Sequence, residues 1–207
     1  NYKIDFKEAP TFNTTNHSDF YIQFKYSDDE SFKSAYLAGN DGTNLININE
    51  IVRFHFPKAT DLNNDIVKYS IYAWRANTWF NNVSGASTKD NYILLQDIPV
   101  LINGSANPNL KNSEISNHYY YDVQVPISYN YNQFASYAVQ VTDSNNLTSD
   151  FMYFGYSESG AEKPIMIQIC RVSNPSINLI RYISEKVGDN KYLSLIHISE
   201  PTRRSYI

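Results

Sequence analysis

The chain has 207 residues, a formal net charge of −4 and a pI of about 5.5, with 17 lysine and arginine residues. Because these basic residues form no basic stripe, the composition disfavours nucleic acid as a partner. Hydrophobic residues make up 42% of the chain, which is enough for a packed core. No apolar stretch approaches the roughly 20 residues of a membrane-spanning helix.

The first fifty residues contain one clear strand pattern and one ambiguous segment. Residues 1–9 indicate the end of a preceding β unit, and they lack an initiator methionine and a leader-like segment, as expected for an internal fragment of a longer protein. Residues 20–26 (FYIQFKY) predict a strand. After it, the sequence is compatible with a helix over 27–39, or with a hairpin between 34–38 and 44–48.

The centre of the chain carries a regular series of strand patterns. Alternating runs of β-branched and aromatic residues, bounded by proline or by turns rich in Asn and Asp, predict strands at residues 51–57, 66–74, 92–95, 119–127, 137–141 and 151–156. Residues 77–91 and 103–117 are expected to form loops. Six or more strands at this spacing predict an all-β fold.

The end of the chain changes character twice. Residues 157–163 are small and polar and precede Pro164, which predicts a linker. Residues 164–193 then indicate the start of a further β or α+β unit. Residues 194–207 continue no core pattern and resemble translated sequencing-adaptor read-through, so we expect a non-native tail there. The alternative for that last segment is a genuine polar C-terminus.

Three of the central segments resemble strands of a known sandwich family. Residues 51–57, 66–74 and 137–141 are similar to strands B, C and F of a fibronectin type III or related Ig-like domain. The resemblance covers residues 10–156 at most and implies an antiparallel β-sandwich, flanked by partial β units. Because residues 75–136 are more numerous than a plain module allows between strands C and F, the resemblance also implies a long insertion.

The residues that carry the resemblance are aromatic and β-branched. In the family, an aromatic residue of strand B packs on a tyrosine of strand C, and strand F has a Tyr-x-Val-x-Val pattern. The residues at these positions are Phe54 or Phe56 for strand B, Tyr69 for strand C, and Tyr137, Val139 and Val141 for strand F. The aromatic residue of strand B is usually tryptophan in the family, so this chain departs from the pattern there.

The resemblance also carries an expectation about function. Modules of this family occur in tandem in extracellular adhesins, carbohydrate-active enzymes and bacteriophage tail or virion proteins. The resemblance therefore implies a non-catalytic structural or adhesive module of a multidomain extracellular or virion protein. Its partners would be neighbouring domains of the same chain, other structural proteins or surface glycans. Two alternatives stay open, a carbohydrate-binding module and a fragment of a glycan-active enzyme.

Two polar turns form a candidate metal site. Asp61, Asn63 and Asp65 alternate like the first ligands of a calcium loop, and Asp143 follows the 137–141 strand, where it could complete a site at one end of a sandwich. An EF-hand is excluded, because its sixth and twelfth positions hold isoleucine and tyrosine here. The sequence favours a plainer interpretation, a turn whose Asx side chains bond their own backbone. Apart from such a structural calcium ion, no cofactor is expected.

Aromatic side chains are the candidates for ligand binding. Trp79 and Phe80 lie in the predicted 77–91 loop, and Tyr120 belongs to a run of three tyrosines. Flat exposed rings stack on sugars and anchor protein interfaces, so these three are the predicted ligand-binding residues. The alternative is that Trp74 and one or two of the tyrosines belong to the core.

No catalytic site is predicted. The four histidines, at positions 17, 55, 118 and 197, show no spacing typical of a metal site or of a nucleophile and its base, and the 7 glycines form no phosphate-binding loop. His55 lies on the polar face of its strand, where we expect it to be solvated. The single cysteine, Cys170, excludes an internal disulfide and a cysteine-based zinc site, and its alternating surroundings predict a buried structural thiol.

Overall fold

Short strands alternate with polar turns along the chain. The structure, a computed structural model, describes residues 7–25, 32–35, 44–47, 51–76, 83–124 and 133–170. The strands within these residues are β1 (Thr11–Phe12), β2 (Tyr21–Lys25), β3 (Lys33–Ala35), β4 (Asn44–Asn47), β5 (Ile51–Pro57), β6 (Ala59–Thr60), β7 (Ile66–Ala76), β8 (Ile93–Pro99), β9 (Leu101–Ile102), β10 (Ser105–Ala106), β11 (Lys111–Asn112), β12 (His118–Gln124), β13 (Gln133–Asp143), β14 (Met152–Tyr153), β15 (Gly155–Glu158), β16 (Ala161–Pro164) and β17 (Ile167–Cys170).

The helical elements of the described residues are short. They comprise a single turn of α-helix, α1 (Val83–Ala86), and 3₁₀ turns at His17–Asp19 and Lys89–Asn91. Within the part of the chain that the structure describes, none of these helices has the length and apolar character needed to cross a membrane. The all-β prediction is therefore confirmed.

Two larger sheets make up the fold. One has the order β11-β12-β5-β2-β3, and the other has the order β4-β17-β13-β7-β8, with β14 also paired to β13. Neighbouring strands are antiparallel except for the parallel pair of β4 and β17. The remaining short strands pair as β1 with β6, β9 with β10, and β15 with β16.

The core lies between the two larger sheets. From β5, Val52, Phe54 and Phe56 point inward and are 2%, 0% and 0% exposed. The Phe54 ring lies 5.0 Å from the ring of Tyr137 on β13, and Phe56 lies 5.1 Å from Tyr69 on β7. Since burial of one such phenylalanine is worth about 1.5–3 kcal/mol, these cross-sheet contacts hold the two layers together.

The strand arrangement agrees with the predicted fold class, an antiparallel β-sandwich. β5, predicted as strand B, lies in one sheet, whereas β7 and β13, predicted as strands C and F, pair side by side in the other. The long stretch between β7 and β13 supplies β8 to one sheet and β12 to the other. The short strands β9 to β11 account for its extra length.

A second hydrophobic cluster covers the other face of β13. Its buried members are Ala86, Tyr92, Ala138 and Tyr153, with Tyr72, Trp74 and Phe151 packed against them. Consequently every residue of β13 from 135 to 141 is buried, and this strand is the most enclosed part of the described chain. Trp74 is thus a core-packing residue, which was the alternative left open for it.

The prediction of a linker at residues 157–163 is wrong. These residues belong to the β15–β16 hairpin, whose turn residues Ser159 and Gly160 have φ of 52° and 79°. β17 follows directly and pairs with β13, so it belongs to the sandwich rather than to a further unit. The physical reason is the apolar run Ile165–Ile167, which is at most 1% exposed and fills the core. Residues 1–6 and 171–207 lie outside the described residues, and so does the side chain of Cys170.

Neither interpretation of the segment after β2 agrees with the described residues. Lys33–Ala35 is strand β3 rather than helix, and it pairs with β2. Asn44–Asn47 is strand β4, but it pairs with β17 in the other sheet instead of forming a hairpin with β3. Residues 26–31, 36–43 and 48–50 lie outside the described residues.

Candidate functional site

Strand pairing brings the two predicted metal-site turns together at one end of the sandwich. The antiparallel register of β7 and β13 runs from Phe134 opposite Ala76 to Asp143 opposite Ile66. The turn that precedes β7 therefore lies beside the turn that follows β13. A backbone hydrogen bond of 3.0 Å from the N–H of Ser144 to the carbonyl oxygen of Asp65 joins them.

Three of the four predicted metal ligands form a carboxylate cluster in these turns. One carboxylate oxygen from each of Asp61, Asp65 and Asp143 lies within 4.8 Å of the others. The fourth predicted ligand, Asn63, lies in the first turn, where its N–H donates to Oδ1 of Asp61 at 2.8 Å. The structure thus places the predicted residues together, while their binding of a metal stays a prediction.

The two oxygens of each carboxylate in this cluster have different surroundings. Oδ1 of Asp61 accepts the N–H of Asn63, and Oδ1 of Asp143 accepts the N–H groups of Asn145 and Leu147 at 2.9 and 2.7 Å. Oδ2 of Asp65 accepts hydrogen bonds from side chains of the other turn. The second oxygen of each is buried and has no hydrogen-bond partner among the described residues: Asp61 Oδ2, Asp65 Oδ1 and Asp143 Oδ2.

Hydrogen bonding affects the acidity of the first aspartate in this cluster. Desolvation tends to raise the pKa of Asp61, but hydrogen bonds that involve Asp65 and the backbone N–H of Asn63 outweigh it. The pKa of Asp61 therefore lies below its usual value, and the carboxylate form that a cation would bind is favoured.

A second candidate site is a groove of about 640 Å³ on the outer face of the β5 sheet. The groove is lined by aromatic and planar polar side chains: Tyr21, Gln23, Phe32, Arg53, His55, Asn112, Ser113, Glu114, Ile115 and Tyr120. Its volume falls within the range of about 300–1,000 Å³ that small-ligand sites occupy.

The register of three strands builds the floor of this outer-face groove. On β5, His55 pairs with Tyr21 of β2 on one side and with Tyr120 of β12 on the other. Two residues further along β2, Gln23 pairs with Arg53. Because residues two apart on a strand share a face, these cross-strand rows place rings and polar groups side by side on the outer surface.

His55, expected to be solvated, is instead buried beneath the groove, with 5% exposure. Its ring stacks on Tyr21 with centroids 4.3 Å apart, Nε2 lies 2.8 Å from Oε1 of Gln23, and Nδ1 lies 3.0 Å from Oγ of Ser113. Burial, together with the nearby charge of Arg53, lowers the pKa of His55 to about 4. The imidazole is therefore neutral at neutral pH, and the expectation was wrong because neighbouring strands and the Ser113 loop cover this position.

Arg53 lines the groove and contacts an acidic residue and two aromatic rings. Its guanidinium donates two hydrogen bonds to Asp122, at 2.7 and 2.8 Å, and these raise the pKa of Arg53. The guanidinium carbon lies 3.7 Å from the ring centroid of Phe32 and 4.2 Å from that of Tyr120. Contacts of an arginine with ring faces are attractive, so this arrangement fixes the side chain in one orientation.

Of the predicted ligand-binding residues, only Tyr120 can be placed. It lines the groove, whereas Trp79 and Phe80 lie outside the described residues. Tyr21, Gln23 and Arg53 also line the groove and were not among the predicted binding residues. The signal that could have found them is the polar face of the alternating strands, where tyrosine, glutamine and arginine replace the usual lysine, glutamate and serine.

Comparisons with known proteins add little to this picture. No protein-family model matches the sequence, and no curated protein matches it significantly. A solved structure to which the chain is similar is the crystal structure of a Niemann-Pick type C2 protein from Japanese carpenter ant, at 9% identity. The match covers 79% of this chain and 95% of that chain, with a TM-score of 0.31. A likeness at this level carries no argument about function, and the sandwich assignment depends on the strand pairing described above.

Proposed function

We propose that the chain is a non-catalytic adhesive β-sandwich module of a multidomain extracellular or virion protein, and that its outer-face groove binds a surface glycan. The observation that carries the binding part is the lining of the groove by rings and planar polar side chains in register. The setting in a multidomain protein is supported by the resemblance of β5, β7 and β13 to strands B, C and F.

The chemistry of the groove suits a sugar ring. Aromatic rings such as those of Tyr21 and Tyr120 can pack against the C–H face of a sugar. Planar groups that can make two hydrogen bonds at once, on Gln23, Asn112 and Glu114, suit the adjacent hydroxyl groups of a sugar.

Rigidity also supports a binding role. The floor of the groove is held by strand pairing, and Arg53 and His55 are fixed by hydrogen bonds and ring contacts. A site whose side chains are already ordered loses less conformational entropy when a ligand binds. The groove is therefore organised as a recognition surface before any ligand arrives.

The same residues support a non-catalytic function. Of the described residues that line the groove, Glu114 is the one carboxylate, whereas hydrolysis of a glycosidic bond generally uses two. His55 is neutral and both of its ring nitrogens lie within hydrogen-bond distance of Gln23 or Ser113, so it is not free to act as a base toward a ligand.

Glycan binding by the full chain tests this proposal. A glycan array identifies a ligand, and titration calorimetry then compares the wild type with Tyr120→Ala and with a control, Ile93→Ala, which changes a 65% exposed residue on the other sheet. We expect Tyr120→Ala to weaken binding at least tenfold, about 1.4 kcal/mol, and the control to leave it unchanged. Absence of saturable binding to any glycan, or binding that Tyr120→Ala does not weaken, would refute the proposed function.

A further inference from the structure

The carboxylate cluster contains an anion that is difficult to explain as part of an ordinary turn. Asp143 is 1% exposed, and its Oδ2 has no hydrogen-bond partner among the described residues, although Oδ1 accepts two backbone N–H groups. A buried carboxylate oxygen without a partner carries a desolvation cost that the fold has to offset. The Oδ2 atom of Asp143 therefore indicates a missing positive partner.

Two further carboxylates lie in the same place. One oxygen of each of Asp61, Asp65 and Asp143 falls within a common distance of 4.8 Å, and like charges this close repel each other. The ion pairs of the described residues, Arg53–Asp122, Lys68–Asp97 and Lys163–Glu158, do not include them. Three acceptor oxygens thus lie close together, and the ion pairs of the described residues supply no cation to them.

We propose that Asp61, Asp65 and Asp143 bind one calcium ion, which joins the turn before β7 to the turn after β13. Each residue contributes the oxygen that its turn does not use, since the other oxygen already accepts hydrogen bonds. Three oxygens that lie within 4.8 Å of one another leave room for an ion at most about 2.8 Å from each, which is close to the Ca–O range of 2.3–2.6 Å.

Calcium fits this cluster better than magnesium or zinc. Calcium accepts irregular sets of six to eight oxygen ligands, so backbone carbonyls and water can complete its shell. Magnesium needs near-ideal octahedral geometry at about 2.0–2.1 Å and loses its bound water reluctantly, so it is less suited to three carboxylates that two separate turns hold in place. Zinc prefers histidine and cysteine ligands, and the cluster contains only carboxylates.

Calorimetry and thermal unfolding of the full chain, after removal of metals with EDTA, test the site. We expect calcium to bind one to one with a dissociation constant of about 10⁻⁴ M. At about 100 times that concentration, calcium should raise the melting temperature by about 5–10 °C. Magnesium at the same concentration should raise it by much less. A wild-type melting temperature that calcium leaves unchanged, or that magnesium raises equally, overturns the proposal.

Asparagine substitutions separate the metal site from the turn. Asp143→Asn and Asp61→Asn keep the Oδ1 acceptor of the turn but replace the second oxygen by an amide, so each should reduce calcium affinity at least tenfold. Asp150→Asn is the control, because it makes the same charge change at an exposed neighbouring position. A calcium shift of undiminished size in either cluster variant contradicts the assignment, and so does a shift that disappears in the control.

Discussion

The burial of His55 should make the free energy of unfolding depend on pH. Its pKa is about 4 in the folded protein, against an ordinary value of 6.5, because burial and the charge of Arg53 disfavour the protonated ring. The unfolded chain therefore binds this proton at a higher pH than the folded chain does. The stabilisation is fully present above about pH 6.5 and is lost as the pH falls toward 4. Between pH 7 and pH 5 we expect protonation linked to His55 to lower the free energy of unfolding by about 2 kcal/mol.

Urea unfolding of the wild type and of His55→Gln at the two pH values measures this quantity. Glutamine does not titrate, and it can still accept or donate hydrogen bonds to Gln23 and Ser113. Because His17 also has a lowered pKa and shifts stability in the same direction, only the difference between wild type and variant isolates His55. The wild type should lose about 2 kcal/mol more than the variant between pH 7 and pH 5. Equal losses in the two proteins would show that His55 is not buried in its neutral form.

Two further predictions concern packing. Phe54→Ala removes a ring that is 0% exposed and contacts Tyr137. Urea unfolding should therefore show a loss of about 3–5 kcal/mol in the free energy of unfolding. The control Val67→Ala, at a 41% exposed site, should change it by less than about 1 kcal/mol. Gly155→Ala would bring a Cβ within 2.9 Å of the carbonyl oxygen of Lys163, so it should cost about 1–3 kcal/mol, and a neutral result would contradict the close backbone approach.

The strands that could be predicted from the sequence are those in which apolar and polar residues alternate within the strand itself. β5, β7 and β13 alternate over at least five residues, and one face of each packs against the opposite sheet, so periodicity alone identifies them. Residues 157–163 misled the prediction because a hairpin turn and a linker have the same small, polar composition. What distinguishes them is the burial of Ile165–Ile167, a tertiary fact that the local sequence does not contain.

The groove could not be found in the sequence for a related reason. Its lining residues come from β2, β5, β11, β12, Phe32 and the loop around Ser113, and they are up to about a hundred positions apart in the chain. Each strand alone shows an ordinary polar face. Only the pairing of Tyr21 and Tyr120 with His55 makes the three faces one surface, and that register depends on strand order.

An aspartate in either of the two turns can accept hydrogen bonds from its own turn and still offer an oxygen to a metal ion. From the sequence, an Asx turn and a metal site are alternatives for Asp61 and Asp143. A carboxylate has two oxygens, and here one accepts the N–H groups of its own turn while the other is buried without a protein partner. The hydrogen bonds of the turn therefore leave the second oxygen available, and the turn is compatible with the proposed metal site. An aspartate in such a turn therefore becomes a candidate ligand when strand pairing, as between Ile66 and Asp143, brings a second such turn beside it.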